Sequence, residues 1–417
     1  MTWDEERAAA TVATLMHHED VSPMRVDVHA AVLAGRRGAR RRMIVNAGVV
    51  IVVLAGVSVV GVRLTGRDPV PEPPAAPWKA TAVQPLTCTT APFGDHPDQE
   101  TVISVDPTGS NVLTSVSDPV SPGTRLVRYA DGVRTVLDVP KGRLADAVVN
   151  RAGLVVGFSN TTSAPVMSSV WAYRGETPQE LPLPTGYQTV QDVAINGLGD
   201  VVATVTSGDT TAVALWTAAT PDRPRVYPAD RSGFVYAIAD DGSVVGVFGL
   251  TSTPSGPENR GWLWSPDGTG RDLAVPPGWT GGTATAFHAS WVMGSVTQRE
   301  PAPGAPGLRS APARWNLATG AVEVMSGIEF EHRIQAIPTG WFIITAPPKS
   351  TAVVAPDGRL FNLPGPADAE NQYAAPSWIS DDGRRMVGNV VSIRTTGTDP
   401  GPYTKARATT WSCTPGR

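Results

Sequence analysis

Asp146 and Asp192 hold matching places in this chain, each seven residues before a glycine of a polar turn, Gly153 and Gly199. Two carboxylates brought together across a channel could act as the acid and base of glycoside hydrolysis, or line a polar rim for a ligand. Arg333 holds the same place before Gly340. Tyr236, His288 and Trp378 complete the candidate binding rim. The competing reading is that all six are solvated strand ends. No residue set points to a catalytic site. There is no Gly-x-Ser-x-Gly and no glycine-rich phosphate loop, and the turns Asp106–Gly109, Asp240–Gly242 and Asp381–Gly383 lack the alternating oxygens of a calcium loop. His96, His288 and His332 are scattered, and His17, His18 and His29 have no cysteine beside them, so neither metal nor cofactor is expected.

The elements that would position these residues repeat. Gly109, Gly153, Gly199, Gly242, Gly340 and Gly383, with Ser290 in the remaining slot, recur at spacings of 43 to 50 residues. A second landmark keeps step on the third strand of each unit: Tyr129, Trp171, Trp216, Trp264, Trp315, Val354 and Trp411. One aromatic at one slot per unit reads as packing between units. A unit of about 40–50 residues with four short strands predicts a β-propeller blade. The expected fold is all-β, a seven-bladed propeller over residues 80–417. The longest variable loops, 159–168, 250–260, 297–311 and 392–405, would frame one mouth of its channel, where recognition usually sits.

The run Ala194-Ile195-Asn196-Gly197-Leu198-Gly199-Asp200-Val201-Val202-Ala203 resembles bacterial extracytoplasmic HAF-type repeats. Val155-Val156-Gly157, Val244-Val245-Gly246 and Gly261-Trp262-Leu263-Trp264-Ser265-Pro266-Asp267-Gly268 resemble them too. The likeness covers residues 100–413 and implies a propeller but no particular reaction.

The last repeat stops after its third strand, whereas residues 80–88 read like an isolated fourth strand. A ring closed by pairing the two would leave no exposed strand edge. It would also set Cys88 beside Cys413, the two cysteines of the chain. A disulfide across the seam is expected in an oxidising compartment, with two free thiols as the alternative.

Compartment is read from Met43–Val62, twenty residues without a charge. At about 1.5 Å per residue they span the hydrocarbon core of a bilayer. Arg36, Arg37, Arg40, Arg41 and Arg42 precede the run, and only Arg63 and Arg67 follow closely. The positive-inside rule then makes 1–42 a cytoplasmic tail, 43–63 a single transmembrane helix in the plasma membrane, and the rest extracytoplasmic. A cleaved signal would have a shorter apolar core. Residues 64–79 form a Pro-rich linker. The arginine-ended tail resembles that of actinobacterial single-span proteins linked to sigma-factor control, which implies a cytoplasmic regulator at residues 1–42.

With 34 basic and 38 acidic residues, net charge −4, and no basic stripe beyond the juxtamembrane arginines, nucleic acid is not an expected partner. Gly 42 and Pro 39 fit many turns between short strands. The function expected is a membrane-anchored binding or scaffold module for a protein or cell-envelope ligand. The alternatives are a transmembrane signalling protein and a glycan hydrolase or lyase working at the channel mouth.

Overall fold

The computed structural model describes residues 78–415 except 97–98, 118–123, 141, 162–165, 230, 250–258, 300–307, 329–332, 347–349, 365–371 and 397–398. The expected tail, membrane helix and most of the linker lie outside the described residues. Within them no helix is long and apolar enough to cross a membrane. The described chain is all β: strands β1 (Gln84–Pro92) to β28 (Asp399–Pro415), numbered in order.

Five sheets are built from four consecutive strands each: β2–β5 within residues 100–137, β6–β9 within 143–181, β10–β13 within 189–229, β14–β17 within 233–272 and β18–β21 within 281–324. Each is an antiparallel meander, as short connections between neighbouring strands require. The remaining sheet has eight strands in the order β22-β23-β24-β25-β1-β28-β27-β26, residues 333–363 and 372–415 joined through β1. Gln84 and Pro85 run parallel to Phe361 and Asn362, and from Leu86 the strand runs antiparallel to β28. The N-terminal strand thus completes the C-terminal meander. Its register sets Cys88 opposite Cys413, and the two form a disulfide. Ahead of β1, the buried Trp78 ring donates from Nε1 to the Pro356 carbonyl, and Lys79 bridges Ser326.

The core lies between sheets. Val156 and Phe158 pack with Val201, Ala203 and Trp216; Val245 and Leu263 pack with Val292 and Trp315. A further cluster joins Val102 and Val112 of the first meander to Trp378, Val387 and Ala408 of the last. Alternating strand residues bury one face against each neighbour, so each sheet needs two partners and the series closes on itself.

One landmark shifts on inspection of register. Trp216, Trp264 and Trp315 face Val201, Val244 and Val292, but the residue facing Val155 is Tyr173, not Trp171. Function follows register: Trp216 and Trp315 donate from Nε1 to the carbonyls of Pro182 and Ala274, and the Tyr173 hydroxyl donates likewise to that of Asp138. Burial, with the Asp138 charge adding to it, pushes the Tyr173 phenol up from 10.0 to about 12. The unfolded chain loses this proton first, so the stability contributed is complete below about pH 10 and is lost as pH rises towards 12. Tyr173→Phe is expected to flatten the alkaline fall in urea midpoint; an unchanged slope would show that other groups set it.

The Val-Val-Gly pattern also acquires a cause. The first strand of most meanders carries a β-bulge, at Val235/Ala237 in β14 (Gly233–Ile238) and at Ala284/Ala286 in β18 (Gly281–His288). A bulge tilts a carbonyl towards the next strand. A Cβ on Gly246 would lie 2.1 Å from the Phe234 oxygen, and one on Gly294 would lie 1.8 Å from the Thr283 oxygen. Both atoms are backbone and cannot rotate away. Gly294→Ala is therefore expected to cost about 1–3 kcal/mol in chemical denaturation.

The loop expected over 392–405 is instead mostly strand, because β27 (Arg385–Thr396) and β28 form one long hairpin.

Candidate functional site

The turns after the first strands build one rim. Gly109, Gly153, Gly199, Gly242, Gly340 and Gly383 each close a turn by donating to the carbonyl three residues back. All six have φ between 71° and 90°, which a side chain would oppose. Asparagines tie successive turns together. Asn111 Nδ2 reaches the Arg151 carbonyl, Asn150 Nδ2 that of Asn196, and Asn196 Nδ2 that of Ala239, at 3.2, 2.8 and 3.0 Å. Arg151 crosses to Asp240 at 2.9 Å.

Inside this rim runs a cavity of about 820 Å³. Its wall draws on β2 (Glu100–Val105), β6 (Arg143–Val149), β10 (Thr189–Ile195), β14, β18, β22 (Arg333–Ala336) and β26 (Gln372–Ile379), the first strand of every four-strand group. The wall is largely aliphatic. Its charged groups among the described residues are Asp146 and the Arg151–Asp240 pair, with Tyr236 and Phe287 the aromatic ones.

Two of the six expected rim residues line this cavity, Asp146 and Tyr236. Asp146 follows a bulge, and its Oδ1 accepts from the Ala147 amide at 2.9 Å. Asp192, by contrast, is fully buried at the bulge of β10, opposite Thr204. It does not share the cavity with Asp146, so the two do not form a carboxylate pair across a ligand. His288 Nδ1 contacts the Pro338 carbonyl at 3.0 Å, and its ring packs on Gly340 of the next turn. Trp378 Nε1 donates to the Pro107 carbonyl at 3.0 Å, and the ring covers Gly109. Arg333 opens β22 opposite Thr345. His288 and Trp378 belong to sheet-to-sheet joints. Asp146 and Asp192 hold one register, each just after the bulge of its strand, opposite Phe158 and Thr204, so the difference in their burial comes from what the neighbouring sheets present at each place.

Sequence reasoning passed over Ser104, Thr297, Ser310, Gln335 and Thr345, which also line the cavity. Hydroxyls inside otherwise Val- and Ala-rich strands were the available signal. Among the described residues, no group of three or more His, Cys, Asp or Glu is placed to hold a metal ion.

No family profile and no curated protein matches the chain. Solved structures do. Oligogalacturonate lyase in complex with manganese superposes with a TM-score of 0.51 at 10% identity, covering 80% of this chain and 98% of that one. The fold is a β-propeller. The β-propeller domain of the Trilobed protease from Pyrococcus furiosus gives 0.47 at 10% identity, covering 76% of this chain and 94% of that one. Puromycin hydrolase gives 0.44 at 18%, covering 79% of this chain and 56% of that one, so the chain spans about half of that enzyme. Such distant likeness speaks to the fold alone. In propeller terms the turn glycines ring one mouth and the cavity is the central channel.

Proposed function

We propose that this protein is a non-enzymatic binding module, a seven-bladed propeller held outside a bacterial membrane by residues 43–63, whose channel takes a ligand of the cell envelope. The observation that carries the reading is the continuous cavity of about 820 Å³, walled by every first strand and large enough for a small-molecule site. Four-strand groups within residues 100–324, the group 333–363 and the group closed by β1 support the count of blades. The uncharged run Met43–Val62 and the Cys88–Cys413 disulfide support an extracytoplasmic site.

Ala237 lines the channel, so Ala237→Trp would plug it. The purified full-length protein is expected to retain an envelope component that the equally folded Ala237→Trp variant loses. Equal retention by both would move recognition away from the channel. Hydrolysis of an envelope glycan abolished by Asp146→Asn would overturn the non-enzymatic reading. Protease added to intact cells is expected to digest the propeller, and full protection would overturn the topology.

A further inference from the structure

The two mouths of the channel are not equivalent, and the segment ahead of β1 tells them apart. Residues 78–81 form a strap across two groups of strands. On one side the Trp78 carbonyl accepts from the Ser326 amide at 3.1 Å and the Ala80 amide donates to the Ser326 carbonyl at 3.0 Å, just beyond β21 (Val322–Val324). On the other, the Thr81 amide donates to the Gly358 carbonyl at 3.0 Å and Trp78 Nε1 to that of Pro356 at 3.1 Å, both in the turn between β24 (Ser350–Val354) and β25 (Leu360–Leu363). The Trp78 ring is 8% exposed and packs in one cluster with Met293, Met325, Phe342 and Val354. The Arg314 guanidinium lies between it and Trp291, 4.3 and 4.6 Å from the two ring centroids, and pairs with Glu323 at 2.6 Å. A guanidinium stacked on aromatic faces and bonded to a carboxylate is held in one orientation. The backbone fit is equally close, since a Cβ on Gly358 would lie 2.5 Å from the Lys79 oxygen.

The place of the strap sets a direction. In an antiparallel meander the turns joining strands one to two and three to four lie at the same end. The 355–358 turn is therefore at the end of the turn glycines, and so is Trp291, which opens β19 (Trp291–Arg299) after the first turn of its meander. From there β1 leaves parallel to β25, away from that end. The described chain thus joins the propeller at the turn-glycine mouth. This is also the tied mouth, with its asparagine links and with Arg151 laid across Gly197 to Asp240. The opposite mouth carries the connections between second and third strands. Beyond the last β26 pair, Gln372–Ser392, β27 and β28 run on as a hairpin to Thr396–Asp399 on that side. Five of the nine residues 69–77 are proline, Pro77 adjoining Trp78, a composition of semi-rigid spacers. We infer that the strap holds the turn-glycine mouth towards the membrane, so that the loop-side mouth and its hairpin are the surface offered to the envelope ligand. The inference rests on the reading of residues 43–63 as the anchor and adds which surface that anchor turns outward.

The test places the purified full-length protein in phosphatidylcholine nanodiscs that carry an acceptor dye on the headgroups. A donor dye is attached to one added cysteine, the native pair being held in its disulfide. Leu198, in a turn at the tied mouth, and Val166, on the loop before β8 (Ser168–Arg174) at the other, are 59% and 48% exposed, so Leu198→Cys and Val166→Cys take the dye without touching the core. A first strand of seven residues such as β10 separates the mouths by roughly 20–25 Å. Energy transfer from position 198 is therefore expected to exceed that from position 166 at least about twofold. Trp78→Ala is expected to bring the ratio down towards one, and Arg314→Ala, which leaves the buried indole in place, to lower it part of the way. Equal transfer from the two positions, stronger transfer from position 166, or a ratio that neither variant lowers would overturn the role of the strap. Transfer from neither position would instead remove the anchor, and the channel reading fails separately, if envelope retention survives Ala237→Trp.

Discussion

Replacing Cys88 and Cys413 together with alanine is expected to lower unfolding stability by several kcal/mol, the largest effect of any change considered for this protein. The disulfide spans 325 positions. In the chain-entropy description a loop of that size corresponds to at most about 5–6 kcal/mol. Its position adds a structural reason. Among the described residues β1 is the one strand contributed from the N-terminal side to the last meander, and it is held there by backbone pairs from Leu86–Pro415 to Pro92–Thr409. Without the bond, fraying at either terminus would open the ring at the place where it has no covalent continuity. Urea unfolding with and without a reductant should show a markedly lower midpoint for the reduced wild-type protein, matching the double alanine variant. Coincident curves would mean that strand pairing alone secures the seam.

The second large effect concerns Trp378. If this residue served a ligand, removing it would weaken binding and spare the fold. The structure makes it a keystone between the last meander and the first: it is 6% exposed, it packs with Val102 and Val112, and its indole caps the turn at Pro107 and Gly109. Trp378→Ala is expected to destabilise by about 3–5 kcal/mol, the usual range for truncating a buried indole. Gly109→Ala should act on the same joint, because its Cβ would fall 2.4 Å from the Trp378 ring at a φ of 75°. The pair should therefore be non-additive in a double-mutant cycle. Additive losses, or a stable Trp378→Ala protein, would remove the keystone role.

Both predictions concern closure, and closure was partly legible beforehand. A repeat that ends after three strands, and a spare strand ahead of the first, leave one arrangement without bare edges. Two landmarks in step gave the repeat: a turn glycine, with Ser290 in one slot, every 43 to 50 residues, and a third-strand aromatic in most units. The cysteine pairing followed from the same count. What the spacing did not carry was how deeply the neighbouring sheets cover each equivalent position. Trp171 lies two residues before Tyr173, the residue that faces Val155, and pairs with Gly157 instead. Asp146 and Asp192 share a spacing but not a surface: one lines the channel and the other is sealed between sheets.

By itself, then, the sequence determined the class of fold, the length of the repeat, the turn chemistry and which cysteines meet. Each of these depends on local spacing, which the chain carries in one dimension. Only the tertiary structure decided which polar side chains share the channel. That depends on how the residues of neighbouring meanders fill the space between them, as Ala284 and Ala313 do against Val245 and Leu263. No count along the chain could have shown that Asp146 lines the channel while Asp192, in the same register, is sealed between sheets.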